Sequence, residues 1–178
     1  MIDILLVRHG EAEIPWSQGA DAGLSDRGRA QADSLARELV TRSGADLVSS
    51  PLLRARETAR PLGQHRARDP SVDARYCEVP IVNDVARRKA WLTEVHDGTW
   101  NDVDPSISAW REAAWAGLLG LSRDTIIVTH FMLINAMVTR ATADPRLVCF
   151  EPDYVSVTAL RLVPGGRCDL VAPGRSMN

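Results

Sequence analysis

Lysine is almost missing: Lys89 stands alone among 21 basic residues, so arginine carries nearly all the positive charge. An excess of either sign is missing too, because 23 acidic residues leave a net charge of −2. This excludes a global pull toward nucleic acid or an anionic membrane, and any anion site has to be local. No apolar run approaches the roughly 20 residues of a membrane-spanning helix. The chain opens directly into a strand pattern, which predicts no secretion signal. Cysteine is scarce, and Cys77, Cys149 and Cys168 are odd in number and widely spaced. They fit neither a zinc pattern nor a disulfide framework, so reduced thiols and a cytoplasmic location are expected. Phe and Tyr number two each against five Trp. No repeat, low-complexity segment or linker interrupts the 178 residues. That length suits one domain with a real core, expected over residues 1–178.

What is present is concentrated in the first ten residues. Residues 2–7 (IDILLV) are a continuous β-branched and leucine run, the pattern of a buried strand. The run stops at Arg8-His9-Gly10-Glu11, which cannot continue it without burying charge. In open α/β sheets, ligands bind outside the carboxyl ends of the strands. An arginine and an imidazole placed there, beside a glycine that admits close backbone approach, read as an anion site with a potential nucleophile.

The same arrangement returns twice. Ser25 is a good N-cap for a helix with Ala32, Leu35, Ala36, Leu39 and Val40 on its apolar face, leaving Gln31 and Arg37 as solvated surface. Residues 46–49 (DLVS) are a short strand running into SPLLRARETA, where Pro51 suits the first turn of a helix. Arg54 and Arg56 lie two apart and point to different sides, so at most one reaches a common site. Residues 72–79 predict a short strand or extended segment that brings Glu78 beside Pro80. Asn83 can cap a helix to about His96 with Val85, Leu92 and Val95 inward and the run Arg87 to Lys89 on a solvated face. Asp104-Pro105 opens another helix, in which Trp110 and Trp115 read as core. Residues 125–129 (TIIVT) are a buried strand ending at His130, followed by a helix. Residues 154–162 and 168–172 alternate as two late strands joined at Pro164-Gly165-Gly166. This order of elements predicts an α/β fold with a mainly parallel sheet.

Carboxyl ends of parallel strands share one edge, so Arg8, His9, an arginine of the second junction and His130 converge there. Their mutual repulsion is relieved by an anion, and a phosphoryl group takes bidentate bonds from arginine and single bonds from imidazole. Two histidines raise a metal as an alternative. The arginines argue against it, since they repel a dication, and no carboxylate-rich ligand set lies nearby.

Four segments in order, LLVRHGE, LSDRGRAQA, SSPLLRARETA and IIVTH, resemble the successive motifs of the histidine phosphatase superfamily, which includes the cofactor-dependent phosphoglycerate mutases. The resemblance covers residues 1–162. It implies a three-layer αβα sandwich of the phosphoglycerate mutase type, with no metal or other cofactor. It implies that His9 is the nucleophile that becomes a phosphohistidine. Arg8, Arg54 (rather than Arg56) and His130 would hold the phosphoryl oxygens, and Glu78 best matches the acid that protonates the leaving oxygen. The Gly- and Trp-containing sequence usual after that glutamate is replaced by Val79-Pro80-Ile81-Val82, so Glu11 and Asp84 remain competitors. Phe131 stands where a glycine often follows the late histidine, and can narrow the pocket or offer an apolar wall.

The implied activity is hydrolysis of a small-molecule phosphomonoester. Three alternatives stay open: a phosphoglycerate mutase-type phosphotransferase, a protein-phosphohistidine phosphatase, and a phosphate-binding module without turnover. Mutases of this type are usually longer, with extra segments that exclude water, so this short chain favours hydrolysis. The leaving-group site is unread beyond its candidates, which are Trp16, Trp91, Trp100 and the basic run Arg87 to Lys89. The tryptophans favour an aromatic or apolar leaving group. The oligomeric state is not legible.

Overall fold

Strand β1 (Ile2–Arg8) sorts the core by simple alternation. Ile4 and Leu6 pack into one cluster, and Leu5 and Val7 into another on the opposite face. Each such buried side chain contributes about 1.5–3 kcal/mol relative to exposure, so four in succession hold this strand firmly at the centre. The computed structural model describes residues 1–18, 21–80 and 85–174. Among these, six strands form one sheet in the order β3-β2-β4-β1-β5-β6.

β1 pairs in parallel with β4 (Thr125–Thr129), which pairs in parallel with β2 (Asp46–Ser49) and through it with the two-residue edge strand β3 (Ser71–Val72). On its other side β1 meets β5 (Val157–Val163) antiparallel, and β6 (Arg167–Ala172) closes that edge. Helices α1 (Asp26–Leu39) and α2 (Leu53–His65) supply Leu35, Ala36, Ala55, Ala59 and Leu62 to the face holding Leu5 and Val7. Helices α4 (Pro105–Leu119) and α5 (Phe131–Thr142) cover the other face through Leu118, Leu133, Ile134 and Met137. The result is the three-layer α/β sandwich expected, its parallel half followed by an antiparallel hairpin. The shorter helix α3 (Val85–Glu94) packs against the 3-10 turn Trp16–Gln18.

The parallel half aligns the site. Arg8 pairs with Thr129, and Ser49 with Val128. Just beyond, the His9 amide donates to the Thr129 carbonyl (2.9 Å) and the Ser50 amide to the Val128 carbonyl (2.9 Å). His9, Ser50 and His130 therefore leave the same edge of the sheet in register.

Several local expectations are corrected. Pro51 lies outside helix α2, which starts at Leu53 after Leu52, because the Asp21 carboxylate accepts from the Leu53 amide (2.6 Å) and ends the helix there. Residues 72–79 are not one strand. The ladder stops at Val72, and Asp73 caps a 3-10 turn, Ala74–Tyr76, by accepting from the Arg75 amide. The first late strand begins at Val157 instead of Tyr154, because Val155 turns into a left-handed conformation (φ 53°). Val40 follows the helix proper and is exposed. Gln31 is not mere surface, since its side-chain oxygen accepts from the Glu11 amide (2.8 Å). The helix after residue 84 ends at Glu94, with Val95 buried and Leu92 exposed. Asn83, Asp84 and the side chain of Val85 lie outside the described residues.

Candidate active site

The strand-end residues meet around one imidazole. His9 is buried, and its Nδ1 lies 2.7 Å from the Gly10 carbonyl oxygen. A carbonyl only accepts, so Nδ1 carries the proton and Nε2 keeps the lone pair. Arg54 Nε donates to that Nε2 at 3.1 Å. The His130 ring centroid lies 5.2 Å from that of His9, and its Nε2 shares a 2.7 Å hydrogen bond with the Ser50 hydroxyl. Beneath the loop, the Thr58 hydroxyl accepts from the Gly10 amide (3.0 Å) and donates to the Arg54 carbonyl (2.7 Å), tying the β1 loop to α2.

Arg8 is fixed from three directions. It donates to the Pro152 carbonyl (2.8 Å), and its guanidinium lies 4.2 Å from the Tyr154 ring centroid and 5.3 Å from that of Phe131. The turn at Val155 brings Tyr154 back over Arg8, with its ring 6.0 Å from His9.

These groups open onto a cavity of about 260 Å³ lined by Arg8, His9, Arg54 and Glu78, with Trp16, Trp91, Leu92, Val95, His96, Phe131 and Tyr154 among its other walls. The sequence candidates Arg8, His9, Arg54, Glu78 and His130 are thus brought together, and Arg56 stays exposed on the other side of α2. Glu11 is not at the cavity: it accepts from the Ser25 hydroxyl (2.8 Å) and from Arg27 (3.3 Å), bracing the start of α1. Of the leaving-group candidates, Trp16 and Trp91 line the cavity as an edge-to-face pair 6.2 Å apart. Trp100 does not. It is core, donating to Thr139 (2.9 Å) under the Arg111 guanidinium. Arg88 is buried rather than solvated, and donates to the Trp16 carbonyl (3.2 Å). Arg87 and Lys89 are exposed.

Electrostatics follow from burial. Desolvation, then the charges of Arg54 and Arg8, push the His9 pKa well below its ordinary value. Desolvation, His9 and the two arginines do the same to His130. Both imidazoles are neutral near neutral pH. Glu78 moves the other way: burial raises its pKa, against hydrogen bonds from the Val79 and Met132 amides and the pull of Arg54 and Arg8. Three buried polar atoms here, Arg8 Nε, Arg54 Nη2 and His130 Nδ1, have no hydrogen-bond partner among the described residues. Unsatisfied buried polar groups are costly, and a cluster of them around a buried cationic pair suits an anionic acceptor.

The sequence profile of the histidine phosphatase superfamily, branch 1, matches residues 4–172. The chain belongs to this superfamily. The family match reaches ten residues beyond the resemblance read from the motifs, taking in the last strand. A glucosyl-3-phosphoglycerate phosphatase of Mycolicibacterium vanbaalenii is 33% identical over 153 residues, 78% of this chain and 61% of that protein. One of Mycobacterium tuberculosis is 31% identical over 140 residues, 76% of this chain and 60% of that protein. The chain therefore spans about three fifths of the length of these curated relatives. A mycobacterial glucosyl-3-phosphoglycerate phosphatase solved with inorganic phosphate superposes with a TM-score of 0.78 at 25% identity, covering 99% of this chain and 98% of the other. Ser50, Thr58, Tyr154 and Asp21, whose carboxylate lies 3.9 Å from Arg54 Nη1, belong to this arrangement and were not singled out from the sequence. The first two lie inside the SSPLLRARETA motif, where a hydroxyl next to the junction is the one available signal.

Proposed function

We propose that this protein hydrolyses small-molecule phosphomonoesters through a phosphohistidine on His9. The observation that carries this reading is the pair of orphaned donors, Arg8 Nε and Arg54 Nη2, around an imidazole whose lone pair is on Nε2, with His130 Nδ1 a third donor in the tautomer whose Nε2 accepts from the Ser50 hydroxyl. A phosphoryl group satisfies those donors. Its negative oxygens also compete better than an imidazole for the Arg54 N–H, which frees the His9 lone pair for attack.

In the first step Nε2 forms a bond to phosphorus as the ester P–O bond breaks in line, and Glu78 gives its proton to the departing oxygen. The raised pKa of Glu78 suits it to hold that proton. In the second step water attacks the phosphohistidine, the P–N bond breaks, and Glu78 takes up the water proton. Arg8, Arg54 and His130 stabilise charge on the transferring group throughout. Each half-reaction is easier than direct displacement by water. The cationic cradle repels a dication, so the step needs no metal. The phosphatase names of the curated relatives favour hydrolysis over transfer, and set glucosyl-3-phosphoglycerate as one candidate substrate. Three unpaired cysteines suit a reducing, cytoplasmic setting, and among the described residues no helix is long and apolar enough to cross a membrane.

The test is rapid-quench labelling with a 32P-labelled phosphomonoester. Wild type is expected to accumulate an acid-labile, base-stable adduct with turnover, and His9→Ala to show neither. Full turnover by His9→Ala would refute the covalent route.

A further inference from the structure

The phosphate cradle accounts for one end of the cavity. The other end is built differently, and nothing in the proposed chemistry explains it. Its walls include Trp16, Trp91, Leu92 and Val95, whereas the Phe131 and Tyr154 rings of the same lining flank Arg8. Trp16 and Trp91 meet edge to face at 6.2 Å with planes 70° apart, forming a rigid apolar corner. Arg88, buried beneath it, donates to the Trp16 carbonyl and lies 5.3 Å from the Trp16 ring centroid, which holds the corner in place.

The charge inventory of the lining is equally one-sided. Its arginines are Arg8 and Arg54, both in the phosphate cradle. His96 also lines the cavity and is exposed to water. Glu78 adds an acidic group. Among the described residues that line the cavity no lysine or arginine stands outside the cradle, and the Arg88 guanidinium behind the corner is engaged with the Trp16 carbonyl and ring, so a leaving group bearing a carboxylate would be desolvated against tryptophan and leucine. An apolar or aromatic leaving group would bury its surface against the same walls at no such cost.

We propose that this subsite selects phosphomonoesters of uncharged apolar or aromatic alcohols and discriminates against those of hydroxy acids. The inference rests on the phosphatase reading of the same cavity. It separates this chain from the substrate named for its curated relatives, whose glycerate moiety is a carboxylate.

Benzyl phosphate and 3-phosphoglycerate test it, because both release a primary alkyl alcohol and differ in what that alcohol carries. Binding is measured by calorimetry and turnover by phosphate release, at pH 7.5 on the whole chain. Benzyl phosphate is expected to bind at least about tenfold more tightly and to show a correspondingly higher kcat/KM. Trp91→Ala should bring the ratio between the two esters toward one. Leu92→Lys, at an exposed position of the wall, should improve 3-phosphoglycerate selectively, and this gain does not depend on a disruptive variant. Equal or tighter binding of 3-phosphoglycerate would overturn the proposal while leaving hydrolysis standing. Tighter binding of benzyl phosphate with no turnover of either ester would support the subsite and refute the hydrolase reading.

Discussion

At the scale of single residues, the site depends on titratable groups whose surroundings push them in opposite directions. His9 and His130 are buried among arginines and kept neutral, while desolvation makes Glu78 hold its proton more tightly than a solvated glutamate, against the pull of the Val79 and Met132 amides and the arginines. On the proposed reading, a nucleophile with its lone pair on Nε2 and an acid with a proton to give then coexist near neutral pH. Glu78→Gln keeps the shape and removes the proton. Its kcat on alkyl phosphates should fall about 100-fold or more, whereas p-nitrophenyl phosphate, whose leaving group needs little protonation, should lose far less. The dependence of rate on leaving-group pKa should steepen accordingly. A uniform loss across both ester types would mean that Glu78 only shapes the pocket.

At the scale of elements, the site is a set of junctions whose loops are clamped to helix starts. Gly10 and Gly28 show how tightly. A Cβ built on Gly28 would run into the carbonyl oxygen of Glu11, and one on Gly10 would sit 2.7 Å from the carbonyl oxygen of Gly28. Backbone meets backbone here, so no side chain can swing away to relieve the contact. Gly28→Ala should therefore displace the β1 loop, cost about 2–4 kcal/mol in denaturant unfolding, and lower kcat through misplacement of His9. Wild-type stability and rate in this variant would show that the clamp is looser than the geometry implies. The junctions were legible in the sequence because each breaks an apolar run abruptly with Arg8-His9, Ser50-Pro51 or His130. The supports of those junctions were not legible. Thr58 and Gln31 look like ordinary helix surface until tertiary packing turns them onto the Gly10 and Glu11 amides. Tyr154 reads as the start of a strand, and only the left-handed turn at Val155 carries it over Arg8. Trp100 and Trp91 carry the same local signal. Which one enters the core and which one lines the cavity depends on contacts with Thr139 and Trp16, far away in sequence.

At the scale of the whole molecule, the fold holds two neutral imidazoles that the unfolded chain would protonate, and stability must answer to that. For both His9 and His130 the folded pKa is depressed far below the unfolded value of about 6.5. Below that pH the unfolded chain binds protons that the folded chain refuses, so unfolding becomes easier as pH falls, by up to about 1.4 kcal/mol per pH unit for each histidine. Glu78 works in the opposite sense. Its raised folded pKa makes the native state the better proton acceptor at the acidic end and offsets part of the loss. We assign the slope between pH 7 and 5.5 to the buried pair. Guanidinium unfolding in phosphate-free buffer should show stability falling over that window in wild type and a flatter profile in the His9→Asn/His130→Asn double variant. Saturating inorganic phosphate should raise stability and also flatten the wild-type profile, because an anion in the cradle favours protonated imidazoles and satisfies the orphaned arginine donors. A double variant with the wild-type slope would locate the acid sensitivity in the surface carboxylates and remove the link between the neutral histidines and the stability of the fold.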